Sequence, residues 1–411
     1  MYKNKVFLLL FTIISFNQLT NSQNNTNSPY TRFGYGEIND NIAGGQRAMG
    51  GVSVGVRNGY TINTVNPASY SAVDSMTFMF DMGASGLISK FTDNSGSNTK
   101  NNANLEYITM QFPITKSLGF SAGVQPYSFM GYNFNYNRPI IQEKDSTITS
   151  NENHYGSGGF NQVYTGLSVK LINHIAVGIN AYYLYGSINN NKTQVMNFPS
   201  ESKTVTNTET NSVKANNFRL RYGVQFYNTF SEKHDLTLGL IYEQKAVLKG
   251  NFESIFNDSI SNTNGFEIPA LYGAGLYYTY DKKLSTGLDY TFQNWKDIKY
   301  FGTTGSLEDR SKITWGAEYL PNFRGRKYYE RVRYRFGCNI SDAYITVGNQ
   351  SLPKSLGLSF GFGLPLRNTA TILNTSFEYG KVGTTSLLRE DIYKLTFNIV
   401  FNEHWFFKRK L

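Results

Sequence analysis

The sequence is short of the residues that most often carry chemistry. One cysteine and four histidines in 411 residues exclude an internal disulfide framework and any zinc site built on two or more thiolates. Charge is scarce as well: Asp, Glu, Lys and Arg make up 17% of the chain, against about 25% in ordinary globular domains. Past the N-terminus no apolar run approaches the ~20 residues that a spanning helix needs, so the chain is not a helical membrane protein. His154, His174, His234 and His404 are scattered and none accompanies a nucleophile motif, which argues against an enzyme. Gly44-Gly45 and Gly50-Gly51 lack the Gly-Lys-Ser/Thr that would complete a phosphate-binding loop. No cofactor and no metal is expected.

Aromatic residues, by contrast, are abundant. Phe 30, Tyr 30 and Trp 3 make 15% of the chain, yet the mean hydropathy is only −0.38. The N-terminus reads as an export signal: Lys3 and Lys5 precede the apolar stretch 6–14, and Thr20-Asn21-Ser22 is a small-x-small cleavage site. Residues 1–22 are therefore a predicted signal peptide, and no Cys follows to carry a lipid. Two of the charges behind the formal +10 belong to Lys3 and Lys5 and leave with the signal. Outside the cytoplasm, nucleic acid is not an expected partner.

Residues 23–74 are broken by Gly34, Gly36, Gly44, Gly45, Gly50, Gly51, Gly55 and Gly59 and hold no long element. From 75 the pattern changes to period two. In Met76-Thr77-Phe78-Met79-Phe80-Asp81-Met82 and in Leu288-Asp289-Tyr290-Thr291-Phe292-Gln293, large apolar side chains alternate with small or polar ones, as in strands with two unlike faces. About fourteen such segments are predicted between 75 and 402, an even number within the range of single-chain outer-membrane barrels. Tight connections at 115–117, 173–174 and 281–283 alternate with long polar ones at 93–103, 136–155, 189–216 and 250–267. That is the turn-and-loop alternation of such barrels, with the polar stretches expected as mobile outer loops. A soluble β-sandwich would bury its apolar face and has no use for aromatics on so many strands. The predicted fold is all-β: a transmembrane antiparallel barrel of about fourteen strands, with 23–74 as a plug inside it, because a barrel of that width is not filled by its own side chains.

Three features resemble the long-chain fatty acid transporter (FadL-type) family of Gram-negative outer membranes. The head segment Arg47-Ala48-Met49-Gly50-Gly51, followed by Asn66-Pro67-Ala68 just before the first strand, is similar to the family's glycine-rich plug and Asn-Pro-Ala motif. The layout of a plug followed by about fourteen strands is also similar, and Pro126 lies inside the third strand. The resemblance implies a location in the cell outer membrane and passive uptake of hydrophobic or amphipathic, fatty-acid-like molecules by plug-gated lateral diffusion. Asn66, Pro67 and Ala68 would shift, and Pro126 with Gly131 would open a gap in the wall. The residues alone allow Pro126 to mark no more than a bulge. The resemblance leaves a second class open: some FadL-like barrels are non-transporting scaffolds or accessory subunits of protein secretion or assembly complexes (PorV-like). The expected partners are outer-membrane lipid, a hydrophobic ligand and, in the second reading, another protein.

Arg331, Arg333 and Arg335 alternate with Val332, Tyr334 and Phe336, so the three guanidiniums share one face, the lumen. They would either clamp a ligand carboxylate or pair with Glu318, Asp289, Glu243 or Glu378 on other strands. Cys338 falls on the opposite, lipid-facing parity. The end of the chain, 403–411, is a basic aromatic tail suited to anchoring at the headgroups or to docking a partner.

Overall fold

In the computed structural model the described residues are 25–404, apart from 143–146, 199–202, 258, 263–264, 348–349 and 367–370. The predicted signal peptide and residues 405–411 of the predicted tail lie outside them, and Glu403 and His404 belong to the last strand.

Fourteen antiparallel strands form one closed wall. They are β1 (Thr77–Thr92), β2 (Ser97–Pro113), β3 (Leu118–Pro126, continuing as Ser128–Gln142), β4 (Thr147–Ile172), β5 (Ile175–Phe198), β6 (Lys203–Ser231) and β7 (His234–Glu243). The second half comprises β8 (Leu271–Tyr280), β9 (Leu284–Gln293), β10 (Arg310–Tyr319), β11 (Arg333–Ser341), β12 (Ser355–Pro365), β13 (Ile372–Val382) and β14 (Arg389–His404). Each strand pairs with the next, and β1 pairs with β14 from Thr77 opposite His404 to Thr92 opposite Arg389, which closes the ring without a free edge at the seam. No helix among the described residues is long and apolar enough to cross a membrane.

The alternation read from the sequence decides which way each side chain points. In β12, Leu356, Leu358, Phe360 and Phe362 are exposed on the outer wall, while Gly357, Ser359, Gly361 and Gly363 face inward. A wall that is large and apolar outside and small or polar inside suits a barrel standing in hydrocarbon. Among the described residues the long polar connections, however, are mostly strand. The β5–β6 ladder runs without interruption out to Phe198 opposite Lys203, and β6 is 29 residues long, about 60 Å more than the ~10-residue span of a bilayer requires at ~3.3 Å per residue. Residues 249–256 add a further strand to the outer part of β6. The Asn- and Thr-rich stretches thus continue the hairpins as a blade above the membrane. Polarity on both faces had suggested loops, but a strand exposed to water on both sides carries the same pattern, and its backbone is satisfied by its neighbours.

Inside the ring, residues 25–74 run as irregular chain with short 3₁₀ turns at Pro29–Arg32, Gly44–Met49 and Pro67–Ala72. Near the short-turn end this segment lies directly on the wall. Each strand from β3 to β12 presents an inward glycine there, and a Cβ on any of them would strike it. Gly178 and Gly223, paired across β5 and β6, meet the backbone of Pro67 and the side chain of Asn66. Gly316 and Gly337, paired across β10 and β11, meet Met49 and Gly50. At the other end Leu248, Phe266 and Ile268, Trp295, Ile298 and Leu307, and Tyr344, Ile345 and Leu352 join the upper strands in a second core, where Trp295, Phe266 and Phe160 surround Tyr35 of the N-terminal segment.

Valine is a good strand residue, so replacing a wall glycine by valine tests the seat and not the strand. Gly178→Val and Gly337→Val are each expected to cost about 1–3 kcal/mol through overpacking. The readout is a lower temperature for the heat-induced gel shift, with protease cleavage inside 25–74, while Leu240→Val on the outer face changes neither.

Candidate functional site

An irregular segment inside a barrel has no ladder to satisfy its backbone, and each orphaned N–H or C=O would be costly. The inward polar side chains supply the partners. Asp289 Oδ2 accepts from the backbone N of Ser53 (2.6 Å) and Val54 (2.8 Å). Gly50 N donates to Ser359 Oγ at 2.8 Å, and Asn339 Nδ2 donates to Gly50 O at 3.1 Å. Gln225 Nε2 donates to Val56 O at 3.1 Å, and Ser168 Oγ to Ala68 O at 2.8 Å.

Ion pairs add to this frame in a recurring form, one carboxylate held by two cations. Glu106 takes Arg47 Nη2 and Lys394 Nζ, each at 2.6 Å. Glu243 takes Arg219 and Arg221, the latter at 2.7 Å. Asp40 takes Arg310 (2.7 Å) and Lys312 (2.6 Å), and Glu318 takes Arg333 (2.5 Å) and Arg335 (2.6 Å). Two of these tie the N-terminal segment to the wall. Glu106 reaches Arg47 because a bulge opposite Gly83 and Ala84 turns both Glu106 and Tyr107 inward, and Tyr107 Oη then accepts from Gly44 N at 2.6 Å. Burial pushes the Asp40 carboxyl up, but Arg310 and Lys312 outweigh it and hold the group well below the usual carboxylate range.

The residues singled out in the sequence are placed as follows. Asn66 is fully buried and caps the turn Pro67–Ala72: its Oδ1 accepts from Ala68 N at 3.1 Å and its Nδ2 donates to Val54 O at 2.8 Å. Asn66-Pro67-Ala68 is thus the part of the segment seated on Gly178 and Gly223. Pro126 ends the lower half of β3. Pairing with β2 stops at Val124 opposite Ile108, whereas pairing with β4 continues, through Pro126 opposite Asn161 and Tyr127 N to Phe160 O at 2.7 Å. Beyond the break β3 bends inward, and Phe129 and Ser128 pair with Glu37 and Ile38 of the N-terminal segment. Among the described residues the upper half of β2, from Ser97 to Tyr107, therefore pairs with β1 alone, which leaves a gap in the wall. The bend needs more than proline: Gly158 (φ 113°) and Gly159 (φ 141°) in β4 adopt a backbone that side chains avoid, and a Cβ on Gly159 would strike Ser128 O. Gly131 is buried, and its N and O both bond Thr31 Oγ1 at 3.2 Å. Thr31 and its neighbours so stand across the gap from inside, with Asn27 on Asn102 of β2 (2.6 Å) and Ser28 on Glu390 of β14 (2.6 Å).

The arginine trio is split. Arg333 and Arg335 face the lumen with Glu318 in their fork, the position a ligand carboxylate would take, and Arg333 also covers the Tyr60 ring at 4.0 Å. Arg331 precedes the strand and lies over Tyr328, because the wall resumes only at Arg333. Among the described residues no group of three or more His, Cys, Asp or Glu side chains is placed to hold a metal ion. Between the segment and β10–β14 are cavities of about 240 and 280 Å³, edged by Glu37, Asp40, Lys312 and, in the first, Arg47 and Lys394.

The closed ring, the segment inside it and the broken third strand define a β-barrel with the FadL-type fold. Solved structures of that type share the fold. A Pseudomonas aeruginosa FadL homologue matches with a TM-score of 0.59 at 14% identity, over 89% of this chain and 98% of its own. The Ralstonia pickettii toluene transporter TbuX matches with a TM-score of 0.59 at 13% identity, over 88% and 97%. The Pseudomonas putida toluene transporter TodX matches with a TM-score of 0.57 at 14% identity, over 90% and 98%. The family is given by the sequence as a whole: residues 1–411 match the model of the BamG family, and the chain belongs to it. No curated protein matches.

Two predictions test the ionic frame. Glu318→Gln leaves two buried guanidiniums without their partner and is expected to cost about 3–5 kcal/mol, read as an earlier heat-induced gel shift, whereas exposed Glu403→Gln is silent. Since the Asp40 carboxyl is held low in the folded state, its contribution is full above the unfolded value of about 3.9 and is lost as pH falls through the folded value. Protease protection of residues 25–74 is therefore expected to weaken on the acid side in the native chain, and Asp40→Asn to lose that part of the pH dependence.

Proposed function

We propose that this barrel is a non-transporting outer-membrane scaffold, an accessory subunit of a protein secretion or assembly complex. The observation that carries the reading is the seated N-terminal segment: it rests on bare glycines of ten consecutive strands and is fixed by the Arg47–Glu106 and Asp40–Arg310 ion pairs. A fatty ligand would have to displace that seat and enter cavities edged by charges, whereas small-molecule sites are mostly apolar. The blade built by β4, β5, β6 and residues 249–256 stands clear of the membrane and offers a broad polar sheet to another protein.

The second reading is passive uptake of hydrophobic or amphipathic, fatty-acid-like molecules. One observation favours it, the gap between the upper half of β2 and the inward-bent β3, on a fold shared with structures named as toluene transporters. In that mechanism a ligand bound against the segment would shift Asn66-Pro67-Ala68 and withdraw Thr31 from Gly131, and it would leave sideways past Pro126.

Purification in mild detergent from the native membrane, with mass spectrometry of both proteins and lipids, separates the two. A stoichiometric protein partner without a bound fatty-acid-like ligand is the expected result. A bound ligand of that kind with no partner, together with loss of hydrophobic-compound uptake in Pro126→Ala, would overturn the scaffold.

A further inference from the structure

A roomy apolar hollow lies on the outside of the barrel. It has a volume of about 760 Å³, spans the outer faces of β11–β14 and β1 and reaches Asn101 of β2. Strand register stacks it in rows. The lowest row crosses Phe336, Phe360, Phe377, Leu395 and Gly86, paired in that order from β11 to β1. The next row crosses Leu358, Tyr379, Tyr393 and Ile88. Phe360 and Phe377 stack at 4.9 Å and Tyr379 and Tyr393 meet at 5.3 Å, which makes a firm shelf. The hollow exists because Gly86 occupies an outward position where a Cβ would meet nothing within 4 Å.

The row above is charged. Asp391 lies opposite Lys381 on β13 and Lys90 on β1, and both lysines are exposed. Arg389, two residues along the same face, holds Asp391 at 2.8 Å, and Tyr379 Oη donates to Asp391 at 2.7 Å. Three cations and one anion therefore crown an apolar hollow. They do so at the long-hairpin end, the outer side in barrels of this type, where the wall leaves the hydrocarbon.

Ordinary lipid-facing wall needs only apolar side chains, and charge close to hydrocarbon is unfavourable unless something anionic meets it. We propose that this face is a binding site for an acylated lipid with an anionic phosphate headgroup in the outer leaflet: the acyl chains lie on the Phe360–Phe377 and Tyr379–Tyr393 shelf, and Lys90, Lys381 and Arg389 receive the phosphate. The placement of the cations at one end of the hollow selects a lipid over a protein helix, which would need anions spread along its length and not at one end. The site is independent of whether the lumen conducts.

The test reconstitutes the full chain in bilayers of phosphatidylglycerol and phosphatidylcholine and counts retained lipids by native mass spectrometry. The native protein is expected to retain phosphatidylglycerol preferentially. Removing the cations as K90Q, K381Q and R389Q is expected to lower that preference by about fivefold per charge. Gly86→Phe, which fills the hollow, is expected to abolish retention of both lipids while heat-modifiable migration shows the barrel intact. Equal retention of the two lipids by the native chain, or an unchanged preference in the triple variant, would overturn the proposal. So would a photoreactive residue at Ile88 that crosslinks, in the native membrane, to polypeptide and not to lipid.

Discussion

A barrel of fourteen strands encloses more space than its own side chains fill, and everything inside this one follows from how the space is closed. The chain closes it with irregular backbone pressed against the wall. Contact that close is possible only where the wall has no side chain, hence the inward glycines of β3 to β12. The same choice leaves the segment's N–H and C=O groups away from water, and Asp289, Gln225, Ser168, Ser359 and Asn339 are the inward residues that satisfy them. The composition of the inner wall, small residues where the segment touches and hydrogen-bonding ones where its backbone needs partners, is thus set by the segment and not by the strands.

The ionic clusters obey a related logic. A lone carboxylate inside the ring would be costly, and a lone guanidinium equally so. Pairing each of Glu106, Glu243, Glu318 and Asp40 with two cations keeps the charges of these four clusters in contact with their opposites. Buried pairs of this kind contribute less to net stability than to uniqueness of register. Here the register in question is that of an irregular segment whose own ladder is limited to Glu37 and Ile38, and Arg47 and Asp40 fix it at two points seven residues apart in the chain.

The closed wall was legible because period two writes itself into the sequence. Leu356, Leu358, Phe360 and Phe362 declare the outer face of β12 without any knowledge of its neighbours. Asn66-Pro67-Ala68 and Arg47 were legible through the resemblance alone. What was not legible depends on partners distant in the chain. Nothing local distinguishes Gly178, which carries the segment, from Gly380, which touches only Ile392. The chain's 38 glycines, many at inward positions within strands where glycine weakens the sheet, were the available signal. Arg331 was misplaced on the lumen face because alternation continues through it, although the strand begins at Arg333. The outer hairpins were read as loops because Asn and Thr on both faces look like loop composition until the neighbouring strand is known.

The N-terminal segment is held at both ends of the barrel. The second core gathers around Tyr35 and Trp295 at the upper end, and the glycine seat carries the segment at the lower. The break at Tyr127 is the place where β3 parts from β2 while keeping its pairing with β4. Even there the bend is held by Gly158 and Gly159 and stoppered by Thr31, so that opening it means breaking contacts of the N-terminal segment and not only of β3. In the resemblance the gap is an exit. In this chain, where β3 beyond the break takes Glu37 and Ile38 as its partners, the same bend also gives the N-terminal segment a strand to join. A feature that opens a wall in a transporter can therefore serve in a closed barrel to lock the segment in place.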